Sequence, residues 1–183
     1  SLACQGECAF CCVRADEWKG DYERFDSLTK VIDLLNPKTI VVQGGEVLIQ
    51  KRTLAWLEGI RDARPHLRIS LITNGNVSVG MAGAVERIFD EVKVSVFGFE
   101  PATYERISGM ELAGVVRFVE ELASRKKVEL VLKYVVSPLS FHDLEPITVA
   151  VEGAVVICVN PDTPYKSMKD LVEAAKENKK IRM

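Results

Sequence analysis

Four of the five cysteines crowd into one short stretch: Cys4, Cys8, Cys11 and Cys12. The first three form a C-x3-C-x2-C run. Spacing this close lets a single loop wrap a metal group, each thiolate reaching a different iron of a [4Fe–4S] cube. Three ligands on four irons leave one iron open, which is what a catalytic centre needs. A structural zinc site wants a fourth ligand nearby. Cys12 cannot easily join Cys11 on one zinc, and the nearest histidine, His66, lies far along the chain. A secreted disulfide framework spreads its cysteines to staple distant loops. The crowding therefore points to a metal site in a reducing compartment. Cys158 sits alone in an apolar run and reads as a small buried side chain.

A second set of polar and glycine residues recurs at the ends of apolar runs. Gly44-Gly45-Glu46 follows the run Thr39–Gln43, and Thr73-Asn74-Gly75 follows Arg68–Ile72. A glycine pair makes a tight turn by itself, but an anion such as Glu46 is also physically apt to face a ligand ammonium. Asn74 serves a turn or cap as readily as a ligand. Ser95, near the end of Glu91–Val96, offers a hydroxyl to a ligand or to buried backbone. Lys133 lies in the run Val128–Val136, where an unpaired ammonium is costly. It meets an acid there or lies on an exposed edge. His142 reads as a helix-start residue, and Arg125–Lys127 as a solvated helix end.

The elements that must position these groups alternate. The four runs just named and a fifth, Ala154–Val159, are apolar and β-branched, as strands buried on both faces are. Asn160-Pro161 follows the fifth. Between the runs lie helical patterns. Ser27 can cap a helix carrying Leu28, Val31, Ile32 and Leu35, with Pro37 beyond its end. Thr53 can cap a helix carrying Leu54, Leu57 and Ile60. Leu112, Val115, Val116, Val119 and Leu122 make the clearest apolar stripe. Ser167 can cap a last helix carrying Met168, Leu171, Val172 and Ala175. Strands alternating with helices imply an α/β fold with a parallel sheet and right-handed crossovers. Such sheets bind ligands at the carboxyl ends of their strands, where the polar and glycine groups gather.

Composition narrows the class further. At 183 residues, one domain is the default. With 48% apolar residues and a net charge of −2, the chain can fill a core and gives no case for a nucleic-acid partner. No apolar run is long enough to span a bilayer, and no basic-then-apolar leader is visible. A cytoplasmic location is expected.

Together these residues carry a resemblance. Cys4-Gln5-Gly6-Glu7-Cys8-Ala9-Phe10-Cys11, with an aromatic before its last cysteine, resembles the signature of the radical S-adenosylmethionine (radical SAM) superfamily. Gly44-Gly45-Glu46 resembles that family's second motif, although Val47 stands where the family usually shows proline. Thr73-Asn74-Gly75 is similar to a third. The resemblance covers residues 1 to about 140. It implies a [4Fe–4S] cluster on Cys4, Cys8 and Cys11, with the open iron chelating S-adenosylmethionine. Reductive cleavage would then give a 5′-deoxyadenosyl radical that abstracts hydrogen from a substrate the sequence does not identify. It further implies that Gly44, Gly45 and Glu46 grip the methionine amino group and that Phe10 approaches the adenine. Thr73, Asn74, Ser95 and Lys133 complete the cofactor site, and an electron donor such as flavodoxin or ferredoxin is a partner.

The family's strand before the cysteine loop has no counterpart here, since only Ser1, Leu2 and Ala3 precede Cys4. The five strands would be the second to sixth of a partial (βα)6 barrel apparently lacking its first strand, and the chain a fragment of a longer protein. Residues 1–145 would form the radical SAM core. Residues 146–183 are either a sixth βα unit or a foreign segment, because Val159-Asn160-Pro161-Asp162-Thr163-Pro164-Tyr165-Lys166 and the helix after it resemble part of tripartite tricarboxylate transporter solute-binding proteins. A reading from another class stands beside the enzyme: a solute-binding or interaction module with a non-catalytic iron–sulfur or zinc site.

Overall fold

The structure is a computed structural model that describes residues 3–11, 24–140, 143 and 155–158, the last four as backbone alone. Cys12, His142, the Asn160-Pro161 turn, the helix expected after Ser167 and nearly all of 146–183 lie outside the described residues. The order is α1 (Phe25–Leu35), β1 (Thr39–Val42), α2 (Lys51–Ala63), β2 (Arg68–Thr73), α3 (Ala82–Ile88), β3 (Glu91–Val96), α4 (Pro101–Ser108), α5 (Leu112–Arg125), β4 (Glu129–Val135) and β5 (Val155–Cys158). Single 3₁₀ turns, Val47–Ile49 and Val79–Met81, lead into α2 and α3.

All five expected strands form, and they pair in sequence order β1-β2-β3-β4-β5, every pair parallel. Each crossover but the last is seen to carry at least one helix. Of the strands whose side chains are described, β2 is buried on both faces at Ile69, Ser70 and Leu71, as its apolar run suggested, while β1, β3 and β4 keep one face half-open. In β3 the residues Val92, Val94 and Val96 are buried while Glu91, Lys93 and Ser95 are half-buried. The buried side joins a core with Leu57 and Ile60 of α2, Val85 and Ile88 of α3, Tyr104 and Ile107 of α4, and Val115, Phe118 and Leu122 of α5. Helices thus cover one face, and the other keeps its polar side chains partly open.

The helix starts differ from the sequence expectation because tertiary contacts set them. Helix α1 begins at Phe25, with Ser27 inside its first turn and Arg24 at the cap position. Phe25 stacks on Trp56 of α2 at 5.2 Å, and the Trp56 indole N–H donates to Thr29 Oγ1 at 2.9 Å. Those contacts favour helical backbone three residues earlier than a serine cap would. Thr53 likewise sits in the first turn of α2, not at its cap. Gln50 holds the cap position and accepts from the Thr53 hydroxyl at 3.0 Å. In α5 the buried stripe is Val115, Phe118 and Leu122, while Val116 faces outward.

The amino-terminal end of the sheet is tied by charge. Arg61 donates to Asp90 at 2.6 Å and to the carbonyls of Ile88 and Leu67. Lys93 pairs with Glu91 at 2.6 Å, and Arg68 pairs with Glu129. The opposite, carboxyl end carries the cysteine loop and both glycine motifs, as the rule for parallel sheets requires.

Candidate functional site

The cysteine loop, residues 3–11, contains no regular element, so its shape must come from what it is bonded to. Three separate anchors hold it. The Glu7 and Ala9 amides donate to the last carbonyls of α4, Ser108 O and Ile107 O, both at 2.8 Å. These carbonyls lack helical partners, and Gly109, at φ 69°, turns the chain away and leaves them free. Ala3 O accepts from the Glu46 amide at 2.7 Å. Gln5 donates to Asn76 O at 2.8 Å and to Asn74 Oδ1 at 3.3 Å. Gly6 lets the loop pack closely on α4: a Cβ would lie 3.0 Å from Met110 Cε, which would have to shift, and 3.4 Å from Ser108 O.

Within the loop, the Cys11 amide donates to Cys8 O at 2.9 Å, and the Gly6 amide donates to Cys4 Sγ at 3.4 Å. Asn74 Nδ2 also reaches Cys4 Sγ, at 3.7 Å. The Cys8 thiol is pushed up to about 11 by burial first, and then by Cys4 and Cys11, whose charges act on it directly. The three sulfurs therefore share one electrostatic neighbourhood. Among the described residues no three His, Cys, Asp or Glu side chains converge tightly enough to hold one metal ion.

Glu46 is fully buried. Its Oε1 accepts from the Leu48 amide at 3.0 Å and the Thr73 hydroxyl at 2.8 Å, and its Oε2 from the Asn74 amide at 2.8 Å. Burial raises its pKa, and these three donors oppose the rise. The carboxylate thus clasps the Gly-Gly-Glu turn to the Thr-Asn-Gly turn. Gly75, at φ 71°, closes the second turn in a conformation other residues resist, against Val94 and Val115. Gly44 and Gly45 lie at the carboxyl end of β1, exposed and half-buried respectively.

The remaining candidates spread along the same edge. Phe10 is 48% exposed and tilts on Phe97 at 5.3 Å. Ser95 and Lys133 are register partners on neighbouring strands, so both project from the half-open face. Lys133 is half-buried. The structure thus gathers Cys4, Cys8, Cys11, Phe10, Gly44, Gly45, Glu46, Thr73 and Asn74 at one end, with Ser95 and Lys133 on the adjoining face. Sequence reasoning missed Gln5, Met110 and all of α4. The signal for α4 was present: Pro101 at its first position and Gly109 just past its end are start and stop signs.

A parallel α/β sheet with a three-cysteine loop over its carboxyl edge defines the class of molecule. The sequence matches the Radical SAM superfamily over residues 1–148, and the chain belongs to that family. No curated protein matches the sequence. Solved structures of similar fold include Streptococcus suis SuiB, at TM-score 0.68 and 11% identity, covering 97% of this chain and 44% of that one. Another is native anSMEcpe with bound AdoMet, at TM-score 0.68 and 18% identity, covering 99% of this chain and 60% of that one. A third is SuiB bound to precursor peptide SuiA, at TM-score 0.65 and 11% identity, covering 78% and 33%. The chain therefore spans only part of the length of the proteins it is likened to. Strands β1 to β5 match a partial barrel of this fold.

Proposed function

We propose that this domain is the catalytic core of a radical SAM enzyme, holding a [4Fe–4S] cluster on Cys4, Cys8 and Cys11 and S-adenosylmethionine across the carboxyl edge of its sheet. The observation that carries the reading is the anchoring of the cysteine loop at once to α4, to the Gly-Gly-Glu turn and to the Thr-Asn-Gly turn. A cube presents four irons to its ligands, so three cysteines on one loop suit it better than a single tetrahedral ion that wants a fourth ligand nearby. When bound, the cluster and cofactor supply one-electron cleavage of the sulfonium and, through it, a 5′-deoxyadenosyl radical that takes hydrogen from substrate.

The chain's own residues do the positioning. Asn74 and the Gly6 amide direct donors at Cys4 Sγ and fix its orientation. Glu46 keeps the two glycine turns in register beneath the ligand. Phe10 and Phe97 present an aromatic wall that excludes water and can take an adenine face. Lys133 offers a cation and Ser95 a hydroxyl from the half-open face, suited to a carboxylate and a ribose. Cysteines crowded into one loop fit a reducing, cytoplasmic compartment better than an exported disulfide framework, and a flavodoxin or ferredoxin would deliver the electron. A polypeptide is the first substrate class to try, since SuiB is seen with a precursor peptide and anSMEcpe with the Kp18Cys peptide. Among the described residues no helix is long and apolar enough to cross a membrane.

Anaerobic reconstitution tests the reading. It should give a brown protein with about four irons per chain. Cys4→Ala, Cys8→Ala and Cys11→Ala should each abolish the cluster, while Cys12→Ala and Cys158→Ala should not. Dithionite should then release 5′-deoxyadenosine from S-adenosylmethionine. Uptake of zinc in place of iron, or a cluster that never yields 5′-deoxyadenosine, would assign the domain to binding instead.

A further inference from the structure

Tyr104 lies on α4, the helix whose last carbonyls seat the cysteine loop. Its side chain has no exposed surface, yet its hydroxyl has no hydrogen-bond partner among the described residues. A buried orphan donor costs about 1–3 kcal/mol and is rare in native proteins. Its ring is held from the side by Phe97 at 5.6 Å. Its backbone carbonyl is already used by the Ser108 hydroxyl at 2.7 Å. Burial drives the phenol pKa well above its ordinary value, and the charged groups that act on it are Cys8 and then Glu46. Phe97 also packs on Phe10 of the loop at 5.3 Å, and Cys8 packs on the core to which Tyr104 belongs, so the ring lies beneath the loop. Glu46 has its three donors from Leu48, Thr73 and Asn74 and takes none from Tyr104. Cys8 is the loop thiol that packs on the same core.

We propose that the Tyr104 hydroxyl is a built-in donor to the iron–sulfur group, its O–H meeting a sulfur on the Cys8 side of the bound cluster. The inference rests on the cluster reading above and assigns a positioning residue that the cysteine, Gly-Gly-Glu and Thr-Asn-Gly motifs do not contain. Without the cluster the hydroxyl is orphaned; with it, the donor is satisfied. A hydrogen bond to a cluster sulfur strengthens as the cluster gains negative charge, so it favours the reduced state and raises the reduction potential.

The test compares wild type with Tyr104→Phe, which removes only the oxygen. In the metal-free protein the variant should melt no lower than wild type, because the hydroxyl has no partner among the described residues to lose. After reconstitution both should hold the same iron. The variant's cluster should be harder to reduce, with the reduced-to-oxidised ratio at a fixed potential falling about ten-fold, equivalent to ~59 mV for one electron. In the reduced, paramagnetic cluster, an exchangeable proton coupling seen in water and lost in deuterium oxide should vanish in the variant. Equal potentials and equal proton couplings would overturn the proposal and leave the hydroxyl to a buried water. A metal-free variant less stable than wild type would also overturn it, by revealing a partner within the protein. So would a folded variant that takes up no iron, since one donor bond does not hold a cluster. Failure of the wild-type protein to take up iron would instead sink the cluster reading itself.

Discussion

Replacing Glu46 separates a carboxylate that binds a ligand from one that holds the fold. In Glu46→Ala the Leu48 and Asn74 amides, now 3.0 and 2.8 Å from a missing oxygen, face a void inside the protein. A buried donor left unpaired costs about 1–3 kcal/mol. Two such amides, with the Thr73 hydroxyl forced to find another acceptor, bring the loss to about 3–5 kcal/mol. Against a typical domain stability of ~5–15 kcal/mol, that is a large share. At about 2–4 °C per kcal/mol for a domain of this size, the melting temperature should fall by roughly 6–20 °C. Glu46→Gln should lose less, about 1–3 kcal/mol, because the amide oxygen can keep Leu48 and Thr73 while its NH2 group opposes the Asn74 amide. The pH dependence has a definite sign. Burial holds the folded pKa of Glu46 above its unfolded value of about 4.3. The stability this gives is full below the unfolded pKa and is lost as pH rises through the folded one. Wild type should therefore weaken relative to Glu46→Gln as pH climbs from about 4 through the raised value. Urea unfolding of the metal-free protein across that range measures all of this, and calorimetry on the reconstituted protein gives cofactor affinity. If Glu46→Ala keeps its stability within about 0.5 kcal/mol and loses only S-adenosylmethionine affinity, the clasp argument is wrong and the carboxylate serves the ligand directly.

Two further substitutions probe the frame around the loop. Gly75→Ala forces a side chain into φ 71° with its Cβ 2.8 Å from Val94 Cγ1, and should cost about 2–4 kcal/mol by thermal melting; an unchanged melting temperature would show that the turn relaxes freely. Asp143→Ala removes the carboxylate that accepts from the Phe99 and Glu100 amides at 2.9 and 3.2 Å, capping α4 from a distant part of the chain. It should cost about 1–2 kcal/mol and loosen iron retention, which a chelator-release time course reads.

The strands were legible because a parallel sheet writes itself as separate β-branched runs, and all five appear. The site's location followed, since a turn after a strand in such a sheet can only lie at the carboxyl edge. What sequence could not show was set by contacts between distant residues. The true start of α1 depends on Trp56, and that of α2 on Gln50. Helices α3 and α4 have 7 and 8 residues, too few for a periodic stripe to stand out. Glu46 looked like a turn acid open to ligand, yet one of its donors is two residues on and the others are 27 and 28 residues away. Tyr104 carried no motif at all, and only its buried oxygen, without a partner among the described residues, marks it.

The way the loop is seated also dictates an order of events during synthesis. Cys4, Cys8 and Cys11 precede by roughly a hundred residues the α4 carbonyls that accept from Glu7 and Ala9. The Gln5 bond to Asn74 closes a separation of 69 residues. Contacts of such long range form only after the intervening strands have paired. A ribosome adding about 5–20 residues per second leaves these thiols without their seat for on the order of 5–20 s. Through that interval the bonds that seat the loop are not yet there to cover them from oxidants or stray metal ions. The seat for whatever group these thiols hold is complete only once α4 has docked.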